Sequence, residues 1–244
     1  MTAPVSGNRS FTRRGGRMPP RHHRTFEAHG PSYLVPLSQD GTSVQPGVQL
    51  DAAQIFGRTA PLILEIGSGS GDCVVAAAAA HPETDFLSVE VWTPGVAQTI
   101  AKAARAELTN LRVVQADAAS LVAGALPAAS IDELWVFFPD PWPKKKHHKR
   151  RLVEPQFAQL AATVLRPGGV WRLGTDWEEY AFVMREVLRA EPAFDNAAGG
   201  PVDFTERFEG RVMTRFERKG LDVGRTIYDI AARRSLTASI ASGQ

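Results

Sequence analysis

The chain has 244 residues, 43% of them hydrophobic and 22% charged, with one cysteine and a formal net charge of +2. This is globular composition with enough apolar surface for a real core, and a lone Cys73 excludes an internal disulfide and a cysteine-based zinc cluster. The longest near-apolar segment, residues 73–80, is too short to span a bilayer. The basic N-terminus has no apolar stretch that reads as a signal peptide, so neither a membrane anchor nor export is expected, and a cytoplasmic protein is.

In chain order, residues 1–30 are rich in Arg, Gly, Pro and His and read as a basic flexible arm, followed by a single domain over 31–244. A lead-in with one short helix (51–57) precedes a regular alternation. Strand signals at 61–67, 85–91, 111–117, 131–139 and 169–176 interleave with helix signals at 72–82, 94–108, 155–165 and 178–190. Residues 225–234 read as a last strand pairing with something near 203–218. Alternating strands and helices imply a doubly wound, mostly parallel α/β sheet, closed by an antiparallel edge pair at the C-terminus. Such sheets bind ligands beyond the carboxyl ends of their strands, which directs attention to Gly67–Asp72, Glu90, Asp117, Asp140 and Asp176.

The charge is divided unevenly. Residues 1–30 carry +5 and residues 144–151 carry +6, while the other 206 residues carry −9. An acidic body with two basic patches points to a localised polyanion contact, against the alternative of an arm and a solvated loop.

"LEIGSGSGD" (64–72) sets Gly67, Gly69 and Gly71 between a strand and a helix, where glycine permits a sharp turn and close approach to a ligand. The spacing differs from the dinucleotide fingerprint by one residue and resembles the first motif of Rossmann-like S-adenosylmethionine (SAM) methyltransferases. Glu90 ends the second strand, where an acid accepts hydrogen bonds from ribose hydroxyls, and Asp117 ends the third, where adenine would lie. An NAD site is the lesser reading. Pro139-Asp140-Pro141-Trp142 ends the fourth strand, and Trp142 is either a base-stacking aromatic or core filler. The form also resembles the motif of enzymes that methylate exocyclic amino groups of bases.

"FFPDPWPKKKHHKRR" (137–151), with "LV.P.F" (152–157), "L.PGG.....TD" (165–176), "T.FE.KG" (214–220) and the arginine-rich "RSFTRRGGRM" (9–18), resembles the bacterial tRNA (guanine-N7)-methyltransferase family. That resemblance implies a seven-stranded class I methyltransferase sheet, SAM as cofactor and tRNA as partner, with methylation of guanosine 46 in the variable loop and a monomer or homodimer. It implies Glu65, Glu90, Asp117 and Asp140 as SAM contacts, beside the glycine turn, with Asp140 also the active-site acid. Lys144, Asp176 and Thr214, Arg215, Phe216 and Glu217 become substrate contacts. Lys146, His147, His148, Lys149, Arg150 and Arg151 become the tRNA-backbone patch. Asp140, and secondarily Asp176, are expected to hold the guanine edge. One departure is "EVW" (90–92), where the family pattern has a basic residue at position 92, read as a change in the wall beside the adenosine. The two histidines read as hydrogen bonders rather than metal ligands, and Cys73 as packing. The competing readings are a base amino-methyltransferase and a non-catalytic RNA-binding protein of the same fold.

Overall fold

The structure, a computed structural model, describes residues 10, 11 and 19–236. In chain order it contains α1 (Pro20–Tyr33), β1 (Gln39–Asp40), β2 (Ser43–Val44), α2 (Ala52–Phe56), β3 (Leu62–Ile66), α3 (Asp72–Ala80), β4 (Asp85–Val89), α4 (Thr93–Arg105) and β5 (Leu111–Val114). Then come α5 (Ala118–Gly124), β6 (Ile131–Phe137), a 3-10 helix (Lys145–Arg150), α6 (Pro155–Val164), β7 (Leu165–Thr175) and α7 (Glu178–Ala190). The chain ends through β8 (Phe194–Asn196), β9 (Phe204–Thr205), α8 (Arg215–Asp222) and β10 (Tyr228–Arg234).

The main sheet runs β5-β4-β3-β6-β7-β10-β8, and β9 also pairs with β10. Strands β3 to β7 are parallel, whereas β10 is antiparallel to β7, β8 and β9. The path is thus seven strands long, as the resemblance implies, with β9 as an eighth strand beside it. The expected antiparallel edge pair has a different layout: β10 lies inside the sheet and the short β8 and β9 form the edge. The chain winds outward from β3 to β5, then returns to place β6 on the other side of β3. That reversal opens a crevice at the carboxyl ends of β3 and β6.

Alternation along the strands builds two cores. On β6, Leu134 and Val136 enter the cluster shared with α5, α6 and α7, while Trp135 and Phe137 face the cluster shared with α3 and α4. Because both faces are covered, "LWVFF" reads as a continuous apolar run. Burial of Cys73, Val74, Ala77 and Ala78 puts one side of the alanine-rich α3 against the sheet.

Some boundaries differ from the sequence expectation. Arg9, Arg13, Arg14 and Arg17 of the arm lie outside the described residues. The limit at residue 30 does not coincide with a structural break, because α1 runs through it and packs on α4, with Phe26, Tyr33 and Leu34 joining the second core. Positions 26, 33 and 34 have the i, i+7, i+8 spacing of a helical face, masked in the sequence by Arg and His. Strand β7 begins at Leu165 rather than 169, with Gly168 at φ +81° beside a register irregularity opposite Ile131 and Glu133. Residues 215–222 form a helix, and only 204–205 of the tract near 203–218 pair with the last strand.

Candidate active site

The crevice holds a cavity whose first wall starts at Glu65, on β3, and continues through the glycine turn. Gly67, Gly69 and Gly71 have φ of +71°, +56° and +73°, a region that side chains disfavour. Their surroundings divide them. A Cβ on Gly71 would stand 2.4 Å from Thr99 Oγ1 of α4, whereas nothing lies within 4 Å of one on Gly67 or Gly69. Gly71 therefore permits packing, while Gly67 and Gly69 leave backbone bare toward the cavity. Lys102 of α4 donates to Ser70 O at 2.8 Å and pairs with Asp72, tying the turn to that helix.

Glu90, just past β4, is held by three backbone N–H groups. Gly69 donates to Oε2 at 2.8 Å, and Val91 and Trp92 donate to Oε1 at 2.7 and 2.8 Å. Burial pushes its carboxyl above the usual range, against those three donors, and the charge of Asp140 adds to the rise. Glu65 is 4% exposed, and its Oε2 has no hydrogen-bond partner among the described residues. Burial pushes the Glu65 carboxyl up to about 8, opposed by the Val74 N–H and reinforced by Glu90 and Asp72. A buried acid aimed into a cavity is a counter-ion for a cationic ligand. Asp117 follows β5 between two lining residues, Ala116 and Ala118, and its Oδ1 caps α5 by accepting from Ser120 N at 2.9 Å. Trp92, the departure from the family pattern, lines the cavity. Burial, then the Glu65 charge, pushes the Cys73 thiol up, so this side chain packs as a neutral group.

The second wall starts where β6 ends. Phe138 (φ +54°) and Trp142 (φ +46°) are two of the four non-glycine residues with positive φ among the described residues, and they bracket Pro139-Asp140-Pro141. Strain of this kind persists where surrounding structure over-determines it, here with Phe138 N–H donating to Gly174 O at 2.7 Å. Pro139 and Asp140 line the cavity, as do Thr214, Arg215 and Phe216 from the start of α8.

The cationic run divides. Lys144, Lys145, Lys146 and Lys149 are exposed, and His147, His148 and Arg150 are partly buried. Arg151 is 5% exposed: it pairs with Glu179, donates to Pro141 O at 2.9 Å and lies 4.6 Å over the Tyr180 ring. Its expected place in the phosphate patch is corrected on that ground, because its charge is spent inside the fold. Arg150 covers the Trp142 ring at 3.8 Å and donates to Phe11 O at 2.7 Å, while the Trp142 indole N–H donates to Ser10 O at 3.2 Å. Trp142 thus neither faces the cavity nor fills the core; it carries Ser10 and Phe11, which do line the cavity. His147 meets Trp142 edge-on, and desolvation with the neighbouring cations holds its pKa below the usual histidine value.

Two other expected substrate contacts are engaged elsewhere. Glu217 is 1% exposed and pairs with Arg207 at 2.6 Å and Arg211 at 3.1 Å, while Arg211, also buried, pairs with Asp229. Burial pushes the Glu217 carboxyl up, but Arg207 and Arg211 outweigh it and hold the pKa below the usual range. Asp176 pairs with Arg225 at 2.7 Å beneath Gly220, where a Cβ would stand 2.9 Å from the Asp176 Cβ. Neither carboxylate is among the cavity's lining groups. Sequence reasoning missed the Arg207–Arg211–Glu217–Asp229 cluster, which depends on the 206–214 loop folding beneath α8 and leaves no local pattern. It also missed Lys102, whose pairing with Asp72 at the start of α3 joins two helices and leaves no local pattern.

A family profile described as "Putative methyltransferase" matches residues 59–230. A curated tRNA (guanine-N(7)-)-methyltransferase of Cutibacterium acnes is 50% identical over 227 residues, covering 92% of this chain and 82% of that protein. The chain belongs to the tRNA (guanine-N7)-methyltransferase family. A second member, from a Nocardioides species, is 48% identical over 225 residues, covering 92% of this chain and 86% of its own. The 16S rRNA methyltransferase KamB aligns with a TM-score of 0.56 at 19% identity, over 80% of this chain and 97% of its own. A mutant of the 16S rRNA (adenine(1408)-N(1))-methyltransferase from Catenulisporales acidiphilia, solved with cosubstrate SAM, aligns with a TM-score of 0.51 at 15% identity, over 82% and 97% of the two chains. At these identities the two structures show the fold, that of class I methyltransferases. No helix among the described residues is long and apolar enough to cross a membrane.

Proposed function

We propose that this chain transfers a methyl group from SAM to N7 of a guanosine in tRNA, at position 46 of the variable loop, in the cytoplasm. The observation that carries the reading is the meeting in one cavity of Glu65, the open Gly67 and Gly69 backbone and Glu90 on one side with Asp140 and Thr214–Phe216 on the other. The residues fit the cofactor. The orphan Oε2 of buried Glu65 suits its ammonium group, and Glu90, fixed by three N–H groups, keeps acceptor capacity on Oε2 for a ribose hydroxyl. When bound, SAM supplies an electrophilic methyl group.

Guanine N7 has a free lone pair, so the acceptor needs alignment and a nearby negative charge rather than a strong base. Asp140 supplies the charge and, through hydrogen bonds from the guanine N1–H and exocyclic amine, fixes the orientation. The strained residues on either side of it and the flanking prolines hold it against drift. The target base lies in folded RNA, so entry to the cavity requires local unstacking at a cost of roughly a few kcal/mol. Incubation of the full chain with labelled SAM and unmodified tRNA, followed by mapping of the label, tests this reading. Label confined to the variable loop is expected; label in another loop, or none, overturns it.

A further inference from the structure

We infer that the outer face of α8 is a second phosphate-contacting surface, so that the RNA is held on both sides of the base that reacts. This rests on the RNA reading above and extends it to residues with no assigned role, Arg218 and Lys219. The inner side of α8 is fixed by Glu217 in its arginine pair and by Gly220 against Asp176. On the outer side, Arg215, Phe216, Arg218 and Lys219 are exposed. The Arg218 and Lys219 side chains make no ion pair or hydrogen bond among the described residues, and Asp222, on the same helix, takes neither.

Outside the two basic segments acids outnumber bases, and arginines 58, 166, 172, 185, 189, 207, 211 and 225 are each matched to a carboxylate. Arg105, Arg112, Arg233 and Arg234 have no such match either, so what sets Arg218 and Lys219 apart is their place on α8, beside the cavity-lining Arg215 and Phe216. Two unmatched cations on a helix whose first turn borders the cavity mark a place for an external anion. The geometry complements the cationic run. The loop leading into α8 packs through Phe208 on the α3–α4 side, whereas the chain leaving the run enters the opposite core at Leu152 and Val153. The two basic segments therefore reach the same cavity from opposite faces of the sheet, one through Arg215 and the other through Asp140. A nucleotide whose base enters the cavity has a phosphate on each side, and the protein then offers a positive surface to each.

The test compares tRNA affinity of the full chain across a salt series for wild type, Arg218→Gln/Lys219→Gln and Lys145→Gln/Lys146→Gln. Each phosphate contact contributes about 0.7 to 0.9 to the log–log salt slope, so each double variant should flatten the slope by about 1.5, and Arg218→Lys should keep it. Unchanged thermal midpoints establish that the variants are folded. Wild-type slope and affinity in Arg218→Gln/Lys219→Gln, with loss in the lysine variant, would overturn the inference and put the RNA on one flank alone. Salt-independent or absent tRNA binding by wild type would instead remove the RNA reading itself.

Discussion

The wall of the cavity proposed to hold the cofactor consists of bare backbone and carboxylates set by the ends of β3 and β4, whereas the wall proposed to hold the substrate consists of a strained Pro-Asp-Pro turn and a helix pinned from beneath by ion pairs. The first needs only a parallel sheet and a tight turn, so position along a strand dictates where Glu65 and Glu90 must lie. The second requires segments distant in sequence to meet, as Arg211 does with Asp229 and Arg151 with Glu179. On the proposed cofactor wall, Glu65 and Glu90 face the cavity. On the proposed substrate wall, part of the charge is consumed in building the wall itself.

Asp140 is where the two walls should differ most. Asp140→Ala should lower methyl transfer by about 10²-fold or more, the scale of losing one preorganised electrostatic group, while tRNA affinity changes little. Comparable loss of binding and transfer would make Asp140 part of the scaffold. Arg211→Ala leaves two buried carboxylates without their shared partner and should cost about 3–5 kcal/mol in urea unfolding. A cost near zero would mean that the Arg207–Glu217 pair and packing hold α8 without Arg211.

Glu65 tests the cofactor wall through pH. In the folded, ligand-free protein its carboxyl keeps a proton up to about 8, whereas the unfolded chain loses it at the ordinary 4.5. The contribution to stability is therefore fully present below the ordinary value and is lost as pH rises toward about 8. Glu65→Gln cannot ionise, so its advantage over wild type should grow across that window to the order of a few kcal/mol. Parallel stability curves would contradict a buried, protonated Glu65.

The smallest effect separates two neighbours in the cationic run. Arg151→Ala should cost about 1–2 kcal/mol of stability and leave the tRNA salt slope intact. Lys149→Ala should shift stability by less than about 0.5 kcal/mol and lower the slope by about 0.8. The reverse pattern would put Arg151 on the RNA and Lys149 in the fold.

These pairs also indicate how much was legible in the residues. The alternation of strand and helix, the glycine turn, Glu90 and Asp140 were readable because a repeating period and a strand end each fix a position. Arg151 and Glu217 were not, since an ion-paired buried charge and an exposed one are the same letter until Glu179 or Arg211 folds beside it. For Trp142 the sequence allows base stacking or core packing; its ring instead lies under Arg150 and its indole holds Ser10, a contact 132 residues away in the chain. Helix α1 was hidden by the arginines and histidines along its sequence.

Digestion of tRNA methylated by the full chain, followed by identification of the labelled nucleoside, tests the central claim most directly. The expected product is 7-methylguanosine, because the cavity offers a carboxylate to a base whose nucleophile needs no deprotonation. A nucleoside methylated on an exocyclic amine, or unmodified RNA despite SAM binding, would contradict it.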